Sequence, residues 1–432
     1  MFYPAARCGG QYFPPALRPM RMKTGKTDCG LQYAVLRGGK AVAYCALSIH
    51  CGSRDEKGYH SGIAHFTEHT LFKGTSSKSA SAVSSYLDRL GGELNAYTTK
   101  EEIVLHATVL REDLPKAEKL LMELATDALF PEKEIETEKG VVIDEIISSK
   151  DSPADDIYDR FEEMLFEGHP LGNSILGTAA SVRKITSQEL LRFTRSHFTP
   201  DRIAFTVVAD VNEERCEAEV KALSDKYFGH LSSIYPTEPA SPLFTPAACH
   251  FEKSINKRNH EVNAILGGVA PSLYQESERI AAVLLSNLLG GPASNSILNS
   301  VLRERHGWVY GVECSYTQYS DSGIMAVSLG CDRCNLEKCL AAIRRETQKL
   351  AETEISARRL AAAKKQLIGQ LAVSSDNGET LCLSMGKSLL SFGRIASDGE
   401  NRASVERVTA AQLRSLAETI FAENNISKLI YL

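Results

Sequence analysis

Hydrophobic positions along this chain follow two spacings, one typical of strands and one typical of helices, and the same succession occurs twice. Short runs of small and β-branched apolar residues predict strands at 41–50, 94–97, 103–109 and 203–209, and again at 261–268, 309–316 and 324–329. Apolar residues at helical spacing predict helices at 82–90, 114–129, 132–149, 276–289, 337–350 and 355–371. The repeated order predicts an α+β fold of two structurally similar domains, each with helices layered on a sheet.

A proline-rich stretch separates the two halves. Four prolines fall between residues 232 and 249, and this composition favours an extended, exposed connection. We therefore predict an N-terminal extension at 1–30, a first domain at 31–231, a linker at 232–249 and a second domain at 250–432.

Composition excludes some classes of partner. Among 432 residues, 49 are basic and 54 acidic, and the net charge of −5 is spread along the chain, so no nucleic-acid footprint is expected. Apolar runs such as 280–289 reach about half of the roughly 20 residues that a membrane helix needs. Prolines and glycines interrupt the N-terminal segment where a signal peptide would need an apolar run. We expect a soluble, cytoplasmic protein that binds no membrane.

Cysteine is the first candidate for metal chemistry. The 11 cysteines are odd in number and scattered, which favours reduced thiols over a disulfide framework. Cys331, Cys334 and Cys339 form a cluster, and a Cys-x-x-Cys pair can hold structural zinc. No second close pair accompanies them, so ordinary thiols are the alternative interpretation.

The strongest chemical signal is the segment His65-Phe66-Thr67-Glu68-His69. On a helix, His65 and His69 lie on one face, so their imidazoles can converge on a single ion. Glu68 lies beside them, within reach of a water on that ion. Catalytic zinc binds three protein ligands and leaves one position to water, so one more ligand is needed. The alternative is that these residues coincide on a solvated helix, although the order His-x-x-Glu-His is the inverted zinc-protease signature.

The segment from Gly52 to Thr75 resembles the zinc site of the pitrilysin family, which includes insulin-degrading enzymes and mitochondrial processing peptidases. The resemblance implies a third ligand on a later helix, which is Glu145, 76 residues after His69. It also implies that Glu138, on the same helix face, is a supporting carboxylate that orients the ligands. Asp144 is the competing candidate ligand, and a merely solvated acidic helix is the alternative reading.

The resemblance extends from about residue 31 to the C-terminus and implies further site residues. Arg303 and Tyr310, seven residues apart, match a second-domain motif whose arginine holds a substrate carbonyl and whose tyrosine donates to substrate near the oxyanion; Arg305 does not fit that spacing. Asn95 and Ala96 match a strand to which substrate adds as an extra strand.

This sequence departs from the family pattern at three positions. Thr67 and Thr70 stand where the family usually has leucine and methionine, and Trp308 stands where leucine is usual. The threonines change packing of the helix rather than ligation. The tryptophan changes the pocket beside Tyr310.

The implied function is that of a zinc endopeptidase with one Zn²⁺ per chain, acting on peptides or unfolded segments inside a closed chamber. Glu68 would be the general base, taking a proton from the attacking water and passing it to the departing amine. The length of one half and the presence of both motifs resemble the short, homodimeric branch, in which Arg303 and Tyr310 act across the dimer. The alternatives are a non-catalytic scaffold, an inactive partner subunit of a heterodimeric processing peptidase, and a metal-binding module with another hydrolytic role.

Overall fold

The part of the chain described by the computed structural model comprises residues 22–38, 41–230, 249–257 and 260–432. Nearly all of the predicted linker at 232–249, and most of the predicted N-terminal extension, lie outside these residues. Within them, no helix is both long and apolar enough to cross a lipid bilayer.

The described strands form two sheets. In the first half they are β1 (Met22–Lys26), β2 (Gln32–Arg37), β3 (Val42–Ile49), β4 (Glu93–Thr98), β5 (Ile103–Leu110) and β6 (Ile203–Ala209). In the second half they are β7 (Glu252–Ile255), β8 (Val262–Ala270), β9 (Val309–Gln318), β10 (Gly323–Cys331) and β11 (Ser427–Tyr431). The spatial orders are β1-β2-β6-β3-β5-β4 and β7-β11-β8-β10-β9.

With β1 set aside, the two sheets have one topology. In each, the five strands stand in the order first, fifth, second, fourth, third along the chain. The first and fifth strands are parallel in both sheets, and the other neighbours are antiparallel. The prediction of two similar α+β domains is therefore confirmed. The predicted start of the first domain at residue 31 is too late, because β1 already pairs with β2.

The helices follow the same repeated order. Those of the first half are α1 (Ile63–Leu71), α2 (Ala80–Ser84), α3 (Leu114–Asp127), α4 (Glu132–Asp151), α5 (Pro153–Leu165), α6 (Ala179–Val182), α7 (Ser187–His197) and α8 (Glu213–Phe228). Those of the second half are α9 (Glu276–Gly290), α10 (Leu336–Glu352), α11 (Ala357–Ser375), α12 (Gly378–Phe392), α13 (Asp398–Arg407) and α14 (Ala410–Ile420), with a π-helical segment at Asn299–Arg305.

One predicted helix is shorter than expected. The helix predicted at 82–90 is in fact α2 at 80–84, followed by a separate turn at Asp88–Leu90. Ser79 caps α2 by accepting a hydrogen bond from the Ala82 backbone, and Gly91 ends the later turn in the left-handed conformation.

In each domain, one helix packs against the sheet of the other domain. Helix α12 of the second half packs on β2, β3 and β6, where Cys382, Met385 and Leu389 join the apolar outer face of the first sheet. Helix α5 of the first half packs on β8 and β11, where Phe161 and Leu165 join the outer face of the second sheet. Both faces of each sheet are therefore covered only when the two halves are docked.

The start of helix α1 is fixed by hydrogen bonds to a buried carboxylate and by a close backbone contact at a glycine. Its first residue follows Gly62, which has a positive φ of 89° and no side chain to cap the helix. Glu56 instead accepts hydrogen bonds from the backbone N–H groups of Gly62 and Ala64 at 2.9 and 3.1 Å. A Cβ on Gly62 would lie 2.7 Å from the carbonyl oxygen of Leu176, so the loop before α6 can approach only glycine here.

Glu118 on α3 generates a prediction about pH and stability. Its side chain is fully buried beside the Cys216 thiol, and burial raises the pKa of Glu118 to about 8. A folded-state pKa above the unfolded value means that stability is fully present below about pH 4.5 and declines, by at most about 1.4 kcal/mol per pH unit, as pH rises towards 8. Glu118→Gln should remove this decline.

The measurement is urea unfolding of both proteins at several pH values from 5 to 9 with a chelator present. The free energy of unfolding of Glu118→Gln, relative to that of the parent, should increase as pH rises. Glu112→Gln, which changes an exposed carboxylate just before the same helix, is the matched control. A constant difference between Glu118→Gln and the parent across this range would contradict the account.

Candidate active site

Three potential ligand side chains converge from helices α1 and α4. His65 and His69 lie one turn apart on α1, with their ring centroids 4.6 Å apart. Glu145 on α4 places its Oε2 atom 3.7 Å from Nε2 of His65 and 3.4 Å from Nε2 of His69. The predicted ligand set is therefore brought together at one point.

The geometry of these donors fits zinc. Ligand atoms about 2.0–2.2 Å from a tetrahedral ion lie about 3.3–3.6 Å from one another, which is close to the distances between Glu145 and the two imidazoles. Two imidazole nitrogens and one carboxylate form a known catalytic zinc donor set. Within the described part of the chain, these three residues are the one group of His, Cys, Asp and Glu side chains with ligand atoms close enough to share an ion.

Glu145 reaches this point because of the phase of α4. Ile135, Glu138, Val142 and Ile146 form the buried stripe of this helix. Glu145 lies beside this stripe, and its partly exposed side chain faces His65 and His69 of α1. The spacing of seven residues places Glu138 and Glu145 on the same side, one buried and one open.

Glu68 lies next to the three converging donors with one hydrogen-bond partner of its own. The hydroxyl of Thr98 donates to its Oε2 atom at 3.2 Å. Burial raises the pKa of Glu68, although His69 and the Thr98 hydrogen bond act in the opposite direction. A raised pKa makes a carboxylate a stronger base, which favours proton transfer from a water molecule.

The two histidines are held differently. Nδ1 of His69 is 2.9 Å from Oε1 of Glu138, whose other oxygen accepts from the Lys73 ammonium group at 2.6 Å. Burial opposes charge on His69, but the Glu138 hydrogen bond and the nearby carboxylates raise its pKa overall. Burial, with a contribution from His69, lowers the pKa of His65 to about 3, so His65 is a neutral imidazole.

A cleft of about 460 Å³ opens beside these residues. Its wall includes Ala96, Tyr97 and Thr98 of β4, the strand at the edge of the first sheet. Among the described residues β4 pairs only with β5, so its other edge is open. Of the two predicted substrate positions, Ala96 lines the cleft, whereas Asn95 is exposed and is not among the lining residues.

Arg303 and Tyr310 do not line this cleft. Arg303 is exposed in the π-helical segment, and Tyr310 is 63% exposed, with its hydroxyl donating to Oδ1 of Asp332 at 2.8 Å. Trp308 stacks on His306 with ring centroids 4.1 Å apart. Among the described residues, the two groups of predicted site residues therefore do not line the same cleft.

Several residues of the site were not singled out from the sequence. Lys73 lies within the segment from Gly52 to Thr75, and Thr98 lies two residues after Ala96, but no periodicity shows that they contact Glu138 and Glu68. Asp159 of α5 also lines the cleft, together with Ile175 and Leu176. These three come from segments far from α1 in sequence, so only tertiary contact identifies them.

The second domain has no equivalent donor set among its described residues. Helices α9 and α11 stand where α1 and α4 stand in the repeated order, and Asn287 of α9 donates to Gln370 of α11. Asn295, in the segment after α9, donates to Gln366 of α11. Cys331 and Cys339 are buried and Cys334 is exposed. Their sulfur atoms do not form a group of three that could share an ion.

Comparison with protein families matches both halves of the chain. Residues 35–179 match "Insulinase (Peptidase family M16)", and residues 184–367 match "Peptidase M16 inactive domain". The first match contains the histidines, Glu68 and Glu145, and the second contains Arg303 and Tyr310.

Curated relatives match over nearly the whole length. A protein of Streptomyces coelicolor described as an uncharacterized zinc protease is 31% identical over 86% of this chain and 81% of its own. A Bacillus subtilis protein with the same description is 30% identical over 92% of this chain and 95% of its own. A Helicobacter pylori protease of known crystal structure superposes with a TM-score of 0.84 at 21% identity, covering 95% of this chain and 99% of that one, which is a likeness of fold.

The donor set predicts how metal binding responds to changes on α4. Glu145→Ala should abolish stoichiometric zinc binding, because it removes the only ligand from that helix. Asp144→Asn is the matched control: it changes the adjacent exposed carboxylate and should leave binding intact. Equilibrium dialysis followed by metal analysis measures both, with one ion expected per parent chain. Retention of zinc by Glu145→Ala and its loss from Asp144→Asn would reverse the assignment.

Proposed function

Because the chain belongs to the insulinase family of peptidases, M16, as its resemblance to pitrilysin-type enzymes implied, we propose that it is a zinc-dependent endopeptidase. The observation that carries the proposal is the convergence of His65, His69 and Glu145 beside a half-buried Glu68 and an open cleft. Bound zinc would polarise the scissile carbonyl and lower the pKa of a water molecule.

The protein side chains have separable roles in this proposal. Glu68 takes a proton from the attacking water and delivers it to the amine of the departing peptide. Thr98 holds the Glu68 carboxylate through its hydroxyl. Glu138 accepts a hydrogen bond from Nδ1–H of His69, which keeps the proton on Nδ1 and leaves Nε2 of that ring free to ligate.

The substrate is proposed to be an extended peptide segment. The open edge of β4 supplies backbone N–H and C=O groups next to Glu68, and a peptide could pair with them as a further strand. Such pairing depends on backbone atoms and therefore tolerates many sequences. A folded protein has no free strand to offer, so peptides and unfolded segments are the expected class.

We further propose that the active unit is a homodimer. Arg303 and Tyr310 lie outside the cleft of their own chain and are exposed, as a pair acting on a neighbouring subunit would have to be. In the dimer, Arg303 would hold a substrate carbonyl and Tyr310 would donate to substrate near the oxyanion. Two chains facing each other would enclose the cleft in a chamber that selects by size.

The rival function is that of a non-catalytic scaffold or an inactive partner subunit. The presence of Glu68, both histidines and Glu145 in one constellation favours catalysis, since a scaffold needs none of them. A metal-binding module with another hydrolytic role would keep the ion but not cleave peptides.

The first test of the function changes the proposed general base. Glu68→Gln should lower kcat for a quenched-fluorescence peptide by about 10²- to 10⁴-fold, because the amide cannot accept the proton. Zinc content should stay at the parental value. Fluorescence release and metal analysis on the same preparations give both numbers. A parent chain that holds zinc and cleaves no member of a peptide library would favour the scaffold.

The second test addresses the shared site. Glu68→Gln and Arg303→Ala are each expected to be inactive alone, and mixing them in equal amounts should restore about a quarter of the parental activity after subunit exchange. The restored site combines the intact Arg303 of one chain with the intact Glu68 of the other. The control mixes Glu68→Gln with a Glu68→Gln, Arg303→Ala double variant, which can form no intact site. Failure of the first mixture to regain activity, with exchange verified, would refute the shared site.

A further inference from the structure

The two histidine ligands differ in what fixes their rings. Nδ1 of His65 is buried and has no hydrogen-bond partner among the described residues. Nδ1 of His69 has one, Glu138, at 2.9 Å. Hydrogen bonding at Nδ1 sets the tautomer and the orientation of a ligating imidazole. Among the described residues, only the His69 ring is therefore fixed by a hydrogen bond at Nδ1. Its orientation depends on Glu138 and on the groups that bind Glu138.

Lys73 is what holds Glu138. Its Nζ lies 2.6 Å from Oε2 of Glu138, while Oε1 of the same carboxylate faces His69. The Glu138 side chain is 8% exposed and the Lys73 side chain 27%, so water competes little for this carboxylate. Lys73 lies four residues after His69, just beyond the end of α1, and its side chain contacts α4 from the segment that directly follows the histidine-bearing helix.

The geometry constrains the carboxylate at both ends. With one oxygen bound to Lys73, the other is directed at Nδ1 of His69, whose opposite nitrogen faces Glu145 at 3.4 Å. If the ammonium group is removed, Oε2 loses its partner in a nearly closed site. The carboxylate can then turn away from His69 and release the ring.

We propose that Lys73 is a positioning residue for the metal: it clamps Glu138 in the orientation that fixes His69 for ligation and thereby sets the affinity of the site for zinc. This inference rests on the zinc site of the proposed function. It requires no contact between Lys73 and either ion or substrate.

The chain offers a matched control for the clamp. Lys78 forms an ion pair with Glu123 at the same Nζ–Oε2 distance of 2.6 Å, and the side chains of Lys78 and Glu123 are 16% and 4% exposed. Glu123 also accepts hydrogen bonds from Thr75 and Ser77, and none of its hydrogen-bond or ion-pair partners among the described residues is a histidine. Lys78→Met therefore removes a comparable buried ion pair without altering the support of a ligand.

The experiment measures zinc affinity by competition with a chromogenic chelator, alongside thermal unfolding of the metal-free proteins. Lys73→Met should weaken zinc binding by about 10- to 100-fold. Lys73→Arg, which keeps the charge and the donors, should recover most of the affinity. Lys78→Met should lower the unfolding temperature and leave zinc affinity at the parental value. A folded Lys73→Met with parental affinity overturns the proposal.

A double-variant cycle tests whether Lys73 acts through Glu138. The double variant Glu138→Gln, Lys73→Met should bind zinc no more weakly than Glu138→Gln alone. If the two substitutions instead lower zinc affinity additively, the proposal that Lys73 acts through Glu138 is overturned. If Lys73→Met does not fold, Lys73→Gln replaces it in the same cycle and is judged by the same outcomes. A parent that binds zinc but cleaves no peptide removes the proposed endopeptidase and leaves this test intact, since its readout is affinity. A parent that binds no zinc overturns both.

Discussion

Three ligand atoms from two helices can meet at one ion only if those helices are held side by side in one register. Here α1 supplies two imidazoles and α4 supplies Glu145, and the rest of the first domain maintains that pairing. The buried carboxylate of Glu56 caps the start of α1, and the contact of Gly62 with the Leu176 backbone sets the wall of the cleft next to it. A shift of one residue in α4 would replace Glu145 with a neighbour pointing elsewhere.

Among the described residues, the candidate metal ligands lie in the first domain only, although the two domains share a topology. Both domains have the same strand order and exchange equivalent helices, α5 and α12, across their sheets. Where α1 and α4 bring two imidazoles and a carboxylate together, α9 and α11 are joined by the amide pair of Asn287 and Gln370. The second domain presents Arg303 and Tyr310 on its surface, where the proposed second chain of the dimer would contact them.

The sequence predicted what depends on local spacing. A spacing of four from His65 to His69, and of seven from Glu138 to Glu145, predicts shared helix faces. Resemblance to a known family selected Glu145 over Asp144. The pairing of the domains through α5 and α12, and the placement of Asp159, Ile175 and Leu176 in the cleft, arise from contacts distant in sequence. Lys73 could be read as part of a motif, but its contact with Glu138 depends on how α1 packs against α4. The start of the first domain was missed because the short strand β1 is partly exposed and has no apolar alternation.

X-ray absorption at the zinc edge of the zinc-loaded protein tests the central claim most directly, since it reports ligand type and distance without reference to activity. The account predicts one ion with two imidazole nitrogens and carboxylate oxygen at about 2.0–2.2 Å and no sulfur. The imidazole contribution should fall in His65→Ala, because one of the two ligating rings is removed. A sulfur shell at about 2.3 Å would place the metal on cysteine, and an unchanged spectrum in His65→Ala would place it elsewhere; either result contradicts the account.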